Sequence, residues 1–434
     1  MEKKQAVKGT QDVLPGESFK WQYIEKTVLE TAGLYGFSEI RTPVFEYTDL
    51  FLRSVGDTTD VVQKEMYTFE DKGGRSLTLR PEGTAGAVRS MIEHGLLNQA
   101  LPQKVCYLTA CYRYEQPQAG RFREFHQFGA EMFGSTNPQA DVEVILLAKS
   151  LLQAFGIDDV ELRLNSIGCP DCRKIYQDAL KNYFTERKDA LCKTCLDRLE
   201  RNPMRILDCK SPVCKEIAQG APRVLDYICT DCSEHFDAVK QGLGVLGIAY
   251  TIDPEIVRGL DYYTRTVFEF VSTKIGSQGT VCGGGRYDGL VEQLGGAKVP
   301  ALGFGMGLER LKSVIDLMQD AYPALPATDV YIASMGDNAA QKAAQLAALL
   351  RAEGFAAQHD LMGRSLKAQM KFADKIGAKY VLALGDSELE SGTARLKCMA
   401  GGTAHEIKLD EICDAVYRVN IDNAMGTLEE SVCP

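Results

Sequence analysis

The chain has 434 residues, 45% hydrophobic and 25% charged, the make-up of an ordinary globular protein but too long for one compact core. A formal net charge of −10 excludes a general nucleic-acid coat, while leaving room for a local basic surface. No apolar run reaches membrane-spanning length and the charged residues 1–8 precede no apolar stretch, so neither a membrane span nor a secretory leader is expected, and the predicted compartment is the cytoplasm.

The chain opens on a turn-rich segment, residues 9–16. Trp21, Ile24, Val28 and Ala32 then recur at helical spacing, and Gly33 and Gly36 can close that helix. Residues 40–46 read as a strand, which Pro43 assigns to an edge or interface because proline cannot donate to a central ladder. Residues 67–70 and 76–80 flank Asp71-Lys72-Gly73-Gly74-Arg75, a hairpin pattern. A longer hairpin joins residues 105–113 to 122–131 through Glu115, Gln116, Pro117, Gln118, Ala119 and Gly120. Its second arm sets Gln127, Gly129 and Glu131 on one face and His126 and Phe128 on the other. Residues 142–157 form a half-buried helix, which completes the pattern of a large antiparallel sheet with helices against it.

Eight of the 14 cysteines fall between residues 169 and 232, around a helical pattern that includes Leu180, Phe184 and Leu191, so this interval reads as an inserted module. Strand character returns at Leu246. Residues 258–270 put Arg258 before a glycine turn, then Tyr262, Tyr263 and a strand-forming run; on a strand the two tyrosines would point to opposite faces. Residues 283–289 read as a glycine loop, and residues 301–311 as a strand running into a helix. Beyond the stiff linker 322–328, strands at 330–334 and 380–384 alternate with helices at 339–352 and 366–376 and a short strand ending at His359, the pattern of a separate small α/β domain.

Arg113, Arg258 and Arg310 stand where sheet elements meet turns or helices. Guanidinium groups stay charged and grip phosphate oxygens with paired hydrogen bonds, so three converging would suit a triphosphate; each alone is also an ordinary surface residue. Glu82 and Glu131 are acidic candidates for an amino group or an imidazole N–H, although Glu82 equally suits a cap for the helix starting near Thr84. No Gly-Lys-Ser/Thr phosphate loop and no Gly-x-Gly-x-x-Gly fingerprint is present.

These stretches together resemble the bacterial histidyl-tRNA synthetases, a class II aminoacyl-tRNA synthetase family, over nearly the full chain. Residues 40–51 resemble motif 1, residues 111–133 motif 2 with Arg113, and residues 301–311 motif 3 ending in Arg310; residues 258–268 and 280–288 resemble stretches specific to the histidine enzymes. The resemblance implies an α/β fold with an α+β catalytic core: an antiparallel sheet flanked by helices (residues 1–168 and 246–322), a mainly helical cysteine-rich insertion (169–245) and a C-terminal α/β anticodon-binding domain (329–434). It implies ATP-dependent ligation of L-histidine to tRNA(His), with Mg²⁺ accompanying the ATP, in an obligate homodimer paired through motif 1. Glu82, Thr84 and Gln127 would hold the α-amino group and Glu131 with Tyr263 the imidazole, with Tyr262 lining the same pocket and Gly83 also binding the histidine. Arg113 and Arg258 would flank the α-phosphate and Arg310 the γ-phosphate, with Arg121 also on the ATP. Gln116 and Gln118 lie in the loop that reaches the tRNA acceptor end; many relatives carry an arginine at position 116.

The insertion pairs its cysteines as Cys169/Cys172, Cys192/Cys195, Cys209/Cys214 and Cys229/Cys232. This is the right number of thiols for two tetrahedral zinc sites, against the plainer reading of buried free cysteines; which thiols would share an ion, and whether one ion binds or two, stays open. The rival to a ligase is a non-catalytic paralogue serving as a regulatory subunit of histidine biosynthesis. Such paralogues typically lack the anticodon domain and parts of the ligand motifs.

Overall fold

A computed structural model describes residues 3–55, 59, 61–118, 120–207, 209, 211–256, 262–272, 279–319, 321–325, 327–401 and 403–421. The chain divides into two compact units, Met1–Pro323 and Ala324–Pro434.

In the first unit α1 (Pro15–Leu34) buries Ile24, Val28 and Ala32, the stripe its spacing predicts, and gives way at Gly36, whose φ of 76° favours glycine. There follow β1 (Ser38–Glu39), β2 (Phe45–Tyr47), α2 (Thr48–Val55), β3 (Thr68–Glu70), β4 (Ser76–Leu79), α3 (Thr84–Glu93), β5 (Gln103–Tyr112), β6 (Glu124–Phe133), α4 (Pro138–Ala154) and β7 (Val160–Ser166). The cysteine-rich segment contributes α5 (Pro170–Thr185), α6 (Lys193–Arg201), α7 (Pro212–Gln219) and α8 (Thr230–Val245). The chain returns through β8 (Thr251–Ile252), β9 (Thr264–Ser272), β10 (Thr280–Arg286), α9 (Leu290–Gln293), β11 (Ala301–Gly307) and α10 (Leu308–Ile315).

Eight strands join in the order β1-β5-β6-β11-β10-β9-β7-β8. The outer pairs β1/β5 and β7/β8 are parallel, and every pair between them is antiparallel. Strand alternation sends Phe128, Ala130 and Met132 of β6, Phe268 and Phe270 of β9, and Leu302, Phe304 and Met306 of β11 into one core with α1, α4 and α10. Phe304 sits at its centre, its ring 6.1 Å from Phe128 and 6.4 Å from Phe268. Burying each such ring stabilises the fold by roughly 1.5–3 kcal/mol.

Three local expectations need correction. Residues 40–46 are not one strand: the chain pairs only at β1 and β2. Between them the carbonyls of Thr42 and Pro43 accept hydrogen bonds from the Arg80 guanidinium, at 2.8 and 3.1 Å, instead of joining a ladder. Gly283–Gly285 form no loop but lie inside β10, because the neighbouring backbones come too close for side chains: a Cβ on Gly284 would strike Phe304 and the Gly303 carbonyl, and one on Gly285 would strike Val267 of β9. The strand rule does not reach Tyr262 and Tyr263 either, because β9 begins at Thr264. Both rings are buried in one cluster, 4.7 Å apart.

The cysteine-rich segment has a core of its own, built on Tyr176, Leu180, Phe184, Leu199 and Ile206. Its last helix behaves differently. Phe236, Val239 and Leu243 of α8 belong to the main core, and Gly242 brings α8 so close to α4 that an added Cβ would lie 2.7 Å from Val142.

The second unit orders its strands β13-β12-β14-β15-β16, from β12 (Val330–Ser334), β13 (Ala357–His359), β14 (Tyr380–Leu384), β15 (Thr393–Cys398) and β16 (Ala404–Lys408). The first three are parallel, connected by α11 (Asp337–Ala352) and α12 (Leu366–Lys375); α13 (Asp386–Ser391) precedes an antiparallel pair, and residues 412–421 are helical. No described helix is long and apolar enough to cross a membrane.

Candidate active site

The face of the sheet opposite the core carries a buried polar cluster, the candidate pocket. β11 alternates core residues with Gly303, Gly305 and Gly307, and these lie opposite Glu131, Gly129 and Gln127 of β6. A Cβ on Gly303 would land on the Glu131 carboxylate, and one on Gly305 on the Gln127 amide. The glycines of one strand are thus the floor on which the polar side chains of its neighbour rest.

Glu131 is 1% exposed. Its Oε1 accepts from Tyr107 and Thr84, both at 2.9 Å, and its Oε2 from the Tyr287 hydroxyl. Burial nonetheless pushes its carboxyl up to about 8, the three hydroxyl donors only partly offsetting the loss of water. Burial also raises the Tyr107, Tyr262 and Tyr287 phenols well above their ordinary range, so all three are neutral donors at physiological pH. Tyr262 packs edge-on to Tyr287, with centroids 5.3 Å apart, and Tyr263 lies 6.4 Å from the same ring.

The turn between β4 and α3 forms the next wall. The Glu82 carboxylate accepts from the Thr84 and Ala85 backbone N–H groups at 2.6 and 2.9 Å, so it does cap α3, and burial raises its pKa against those donors. Gln127 Oε1 accepts from Gly83 N at 3.1 Å, which ties this turn to β6. The turn is further held by Arg113, whose Nε donates to the Pro81 carbonyl at 2.8 Å while its guanidinium lies over the Phe125 ring.

Arg113 opens a cationic end of the site. Arg121 pairs with Glu115 at 3.1 Å, and Arg310 donates to the Thr280 carbonyl at 2.8 Å. Burial, and then the charges of Arg121 and Arg113, pull the Arg310 pKa down against the attraction of Glu115 and Glu269. Guanidinium groups near enough to depress one another form a site that gains by taking up an anion. Gln116 and Gln118 are exposed on the β5–β6 connection. Arg258 lies outside the described residues.

Sequence reasoning missed Tyr107 and Tyr287, the two phenols on Glu131. The signal for Tyr107 was available: it has the same strand parity as Cys111, opposite the core residues Cys106 and Leu108. Missed too was a buried network behind the pocket. Arg286, fully buried, pairs with Asp141, and Asp141 also meets His235 Nε2 at 3.2 Å. The His235 Nδ1 faces the Arg265 guanidinium at 3.2 Å.

The eight cysteines of the inserted segment are none of the side chains on Glu131. They gather into two sets, Cys169, Cys172, Cys229 and Cys232, and Cys192, Cys195, Cys209 and Cys214, each able to offer four sulfur ligands to one metal ion.

Comparison with known proteins supplies the family. Residues 9–311 match the histidyl-tRNA synthetase family and residues 329–418 the anticodon binding domain. The histidine–tRNA ligase of Acetivibrio thermocellus is 56% identical over 94% of this chain and 98% of its own length. That of Clostridium novyi is 54% identical over 95% and 99%. Among solved structures, apo histidyl-tRNA synthetase of S. aureus superposes with a TM-score of 0.81 at 39% identity, covering 95% of this chain and all of that one. A Bacillus halodurans protein described as an ATP phosphoribosyltransferase regulatory subunit/histidyl-tRNA synthetase gives 0.62 at 25% identity, covering 87% of this chain and 97% of that one. The chain belongs to the histidyl-tRNA synthetase family.

Proposed function

We propose that the Glu131 pocket binds L-histidine and that the chain is an ATP-dependent histidine–tRNA ligase. The observation that carries this reading is a buried carboxylate ringed by neutral hydroxyls, on the same turn-and-sheet framework as a cluster of arginines. Neutral imidazole has one N–H and one acceptor nitrogen, which Glu131 and a tyrosine hydroxyl, Tyr263 or Tyr287, complement. Glu82, the Gly83 backbone, Thr84 and Gln127 hold the α-amino group, and Tyr262 closes the pocket.

Arg113 and Arg258 flank the α-phosphate of ATP, with Arg121 beside them and Arg310 on the γ-phosphate. A histidine carboxylate oxygen attacks the α-phosphorus, the bond to the bridging oxygen breaks, and pyrophosphate leaves. The 3′-terminal hydroxyl of tRNA(His) then attacks the acyl carbon and AMP departs. Positioning and charge neutralisation dominate such chemistry, which accounts for arginines in place of a nucleophile. Mg²⁺ accompanying the nucleotide would neutralise phosphate charge, and Glu115 and Glu269 among the arginines have the hard oxygen donors it prefers.

The exposed Gln116–Gln118 loop reaches for the acceptor end, and the unit after the linker reads the anticodon. The working form is a cytoplasmic homodimer joined through the segment around Pro43, which sedimentation of a stable, active monomer would refute. The cysteine-rich segment is stapled by structural zinc. Histidine-dependent ATP–pyrophosphate exchange tests the central reading: exchange supports the ligase, and histidine binding without exchange would leave the regulatory paralogue.

A further inference from the structure

The spacing of the cysteines in sequence leaves their partners open; their places in the fold do not. Within each set of four, all sulfurs lie within 4.8 Å of one another. A tetrahedron of thiolates around zinc, with bonds of about 2.3 Å, spaces its sulfurs about 3.8 Å apart. The structure has 3.5 Å between Cys169 and Cys172, 4.0 Å between Cys172 and Cys232, and 3.9 Å between Cys192 and Cys209. Backbone N–H groups already aim at the sulfurs: Cys229 N at Cys172 (3.0 Å), Cys192 N at Cys214 (3.3 Å) and Ser211 N at Cys209 (3.4 Å). Cys169, Cys192 and Cys229 are moreover the N-caps of α5, α6 and α8, where the helix end favours negative charge.

The two sets are nested. Cys192, Cys195, Cys209 and Cys214 lie wholly within the segment and bring together the starts of α6 and α7. Cys169, Cys172, Cys229 and Cys232 close its neck, where β7 gives way to α5 and where α8 begins. That neck touches the pocket wall. Gly168 O accepts from Arg265 N and Ile167 N donates to Arg265 O, both at 2.8 Å, while Arg173 Nη2 donates to the Tyr263 carbonyl at 2.6 Å. Arg265 itself has a φ of 51°, a conformation a side chain adopts only when its surroundings hold it. Its guanidinium faces His235, on α8 just beyond Cys232.

Resting on the structural-zinc reading above, we propose that two separate four-thiolate sites exist, and that the neck site, Cys169/Cys172/Cys229/Cys232, positions the Tyr262–Arg265 wall of the histidine pocket while the inner site serves only the segment's own fold. Neither ion touches substrate. The neck cysteines are positioning residues: they fix the start of α5, whose Arg173 grips Tyr263, and the start of α8, whose His235 faces Arg265.

Protein purified without chelator should contain two zinc ions per chain, and exchange into Co²⁺ should give thiolate-to-cobalt absorption that saturates at two equivalents. Cys172→Ser with Cys232→Ser should retain one ion and raise the histidine KM in ATP–pyrophosphate exchange on the order of tenfold, with the ATP KM unmoved. Cys195→Ser with Cys214→Ser should also retain one ion but leave histidine activation as in the parent. Cys229→His, which keeps a zinc ligand, should hold both ions and leave the histidine KM as in the parent, separating positioning from general loss of fold. If the neck double variant does not fold, stripping and restoring zinc in the parent protein should remove and return histidine affinity together.

Zinc near zero with eight titratable thiols would overturn the metal reading and leave the ligase intact. Loss of both ions, or of neither, by either double variant would overturn the pairing. Loss of the neck ion with an unchanged histidine KM would overturn the coupling. Two ions without any exchange would count against the ligase alone.

Discussion

Replacing Glu131 by Gln separates the two contributions of this carboxylate. The side chains have the same size, so the pocket keeps its shape, and the three hydroxyls on Glu131 can rotate to meet an amide. What is lost is the carboxylate that would accept the imidazole N–H, formed when histidine binding displaces the proton that burial holds on Glu131 below about pH 8. A charge-assisted hydrogen bond in a closed pocket contributes about 1.5–3 kcal/mol, so histidine binding should weaken about 10- to 150-fold. The ATP KM should hardly change, because the arginines are untouched. Stability moves the other way. Burial raises the carboxyl from 4.5 to about 8, so the folded protein binds a proton the unfolded chain releases. This group's contribution is fully present below about 4.5 and is lost as pH rises through about 8. The variant should therefore be at least as stable as the parent at pH 8 and should lose the component of stability that falls across that window. Histidine titration calorimetry and urea unfolding at several pH values read the two effects. A variant with parental histidine affinity would remove Glu131 from recognition, and an unchanged pH dependence would refute the buried, proton-binding carboxyl.

Gly303→Ala should act on the same group without touching it chemically: the added methyl collides with the Glu131 carboxylate, so overpacking of about 1–3 kcal/mol should lower the melting temperature and raise the histidine KM together. Arg310→Ala should raise the ATP KM and spare histidine binding, whereas Arg258→His should depress the adenylation rate more than histidine affinity; stopped-flow adenylate formation distinguishes them, and an unchanged turnover number would exclude Arg258 from catalysis. Asp141→Asn should destabilise the first unit by roughly 3–5 kcal/mol in urea unfolding, because it leaves the Arg286 guanidinium buried without its main counter-charge. Burial alone would raise the Asp141 carboxyl, but His235 and Arg286 hold it below its ordinary range. The parent should thus lose stability as pH falls through the acid range and the variant should lose less of it.

Much of the framework was legible because its code is local. α1 follows from Ile24, Val28 and Ala32 at helical spacing, and the β5–β6 hairpin from alternation that separates Gln127 and Glu131 from Phe128. β15 and β16 were not foreseen: β16 is exposed along most of its length and carries no apolar alternation. The glycines of β10 misled because glycine usually signals a turn, whereas here β9 and β11 crowd the strand from both sides, a fact of tertiary structure. Tyr107 and Tyr287 escaped for a related reason: they are 180 residues apart in a linear sense and meet only because β5 and the end of β10 converge on Glu131. The grouping of the cysteines likewise depends on the neck closing, which no spacing rule expresses.

The parallel pairing of β7 with β8 limits what can happen to the segment between them. Antiparallel neighbours can be joined by a two-residue turn, but a parallel pair needs a crossover of a dozen or more residues. The cysteine-rich segment is that crossover, and α8 inside it also fills the main core with Phe236, Val239 and Leu243. Shortening it to a tight loop would therefore strand β8 and open the hydrophobic layer beneath α4. Residues between α5 and α8 can be lengthened, shortened or exchanged as long as the neck stays shut, whereas α8 must remain. An engineer seeking a minimal version of this enzyme should cut after α5 and rejoin before α8, treating that last helix as part of the catalytic body.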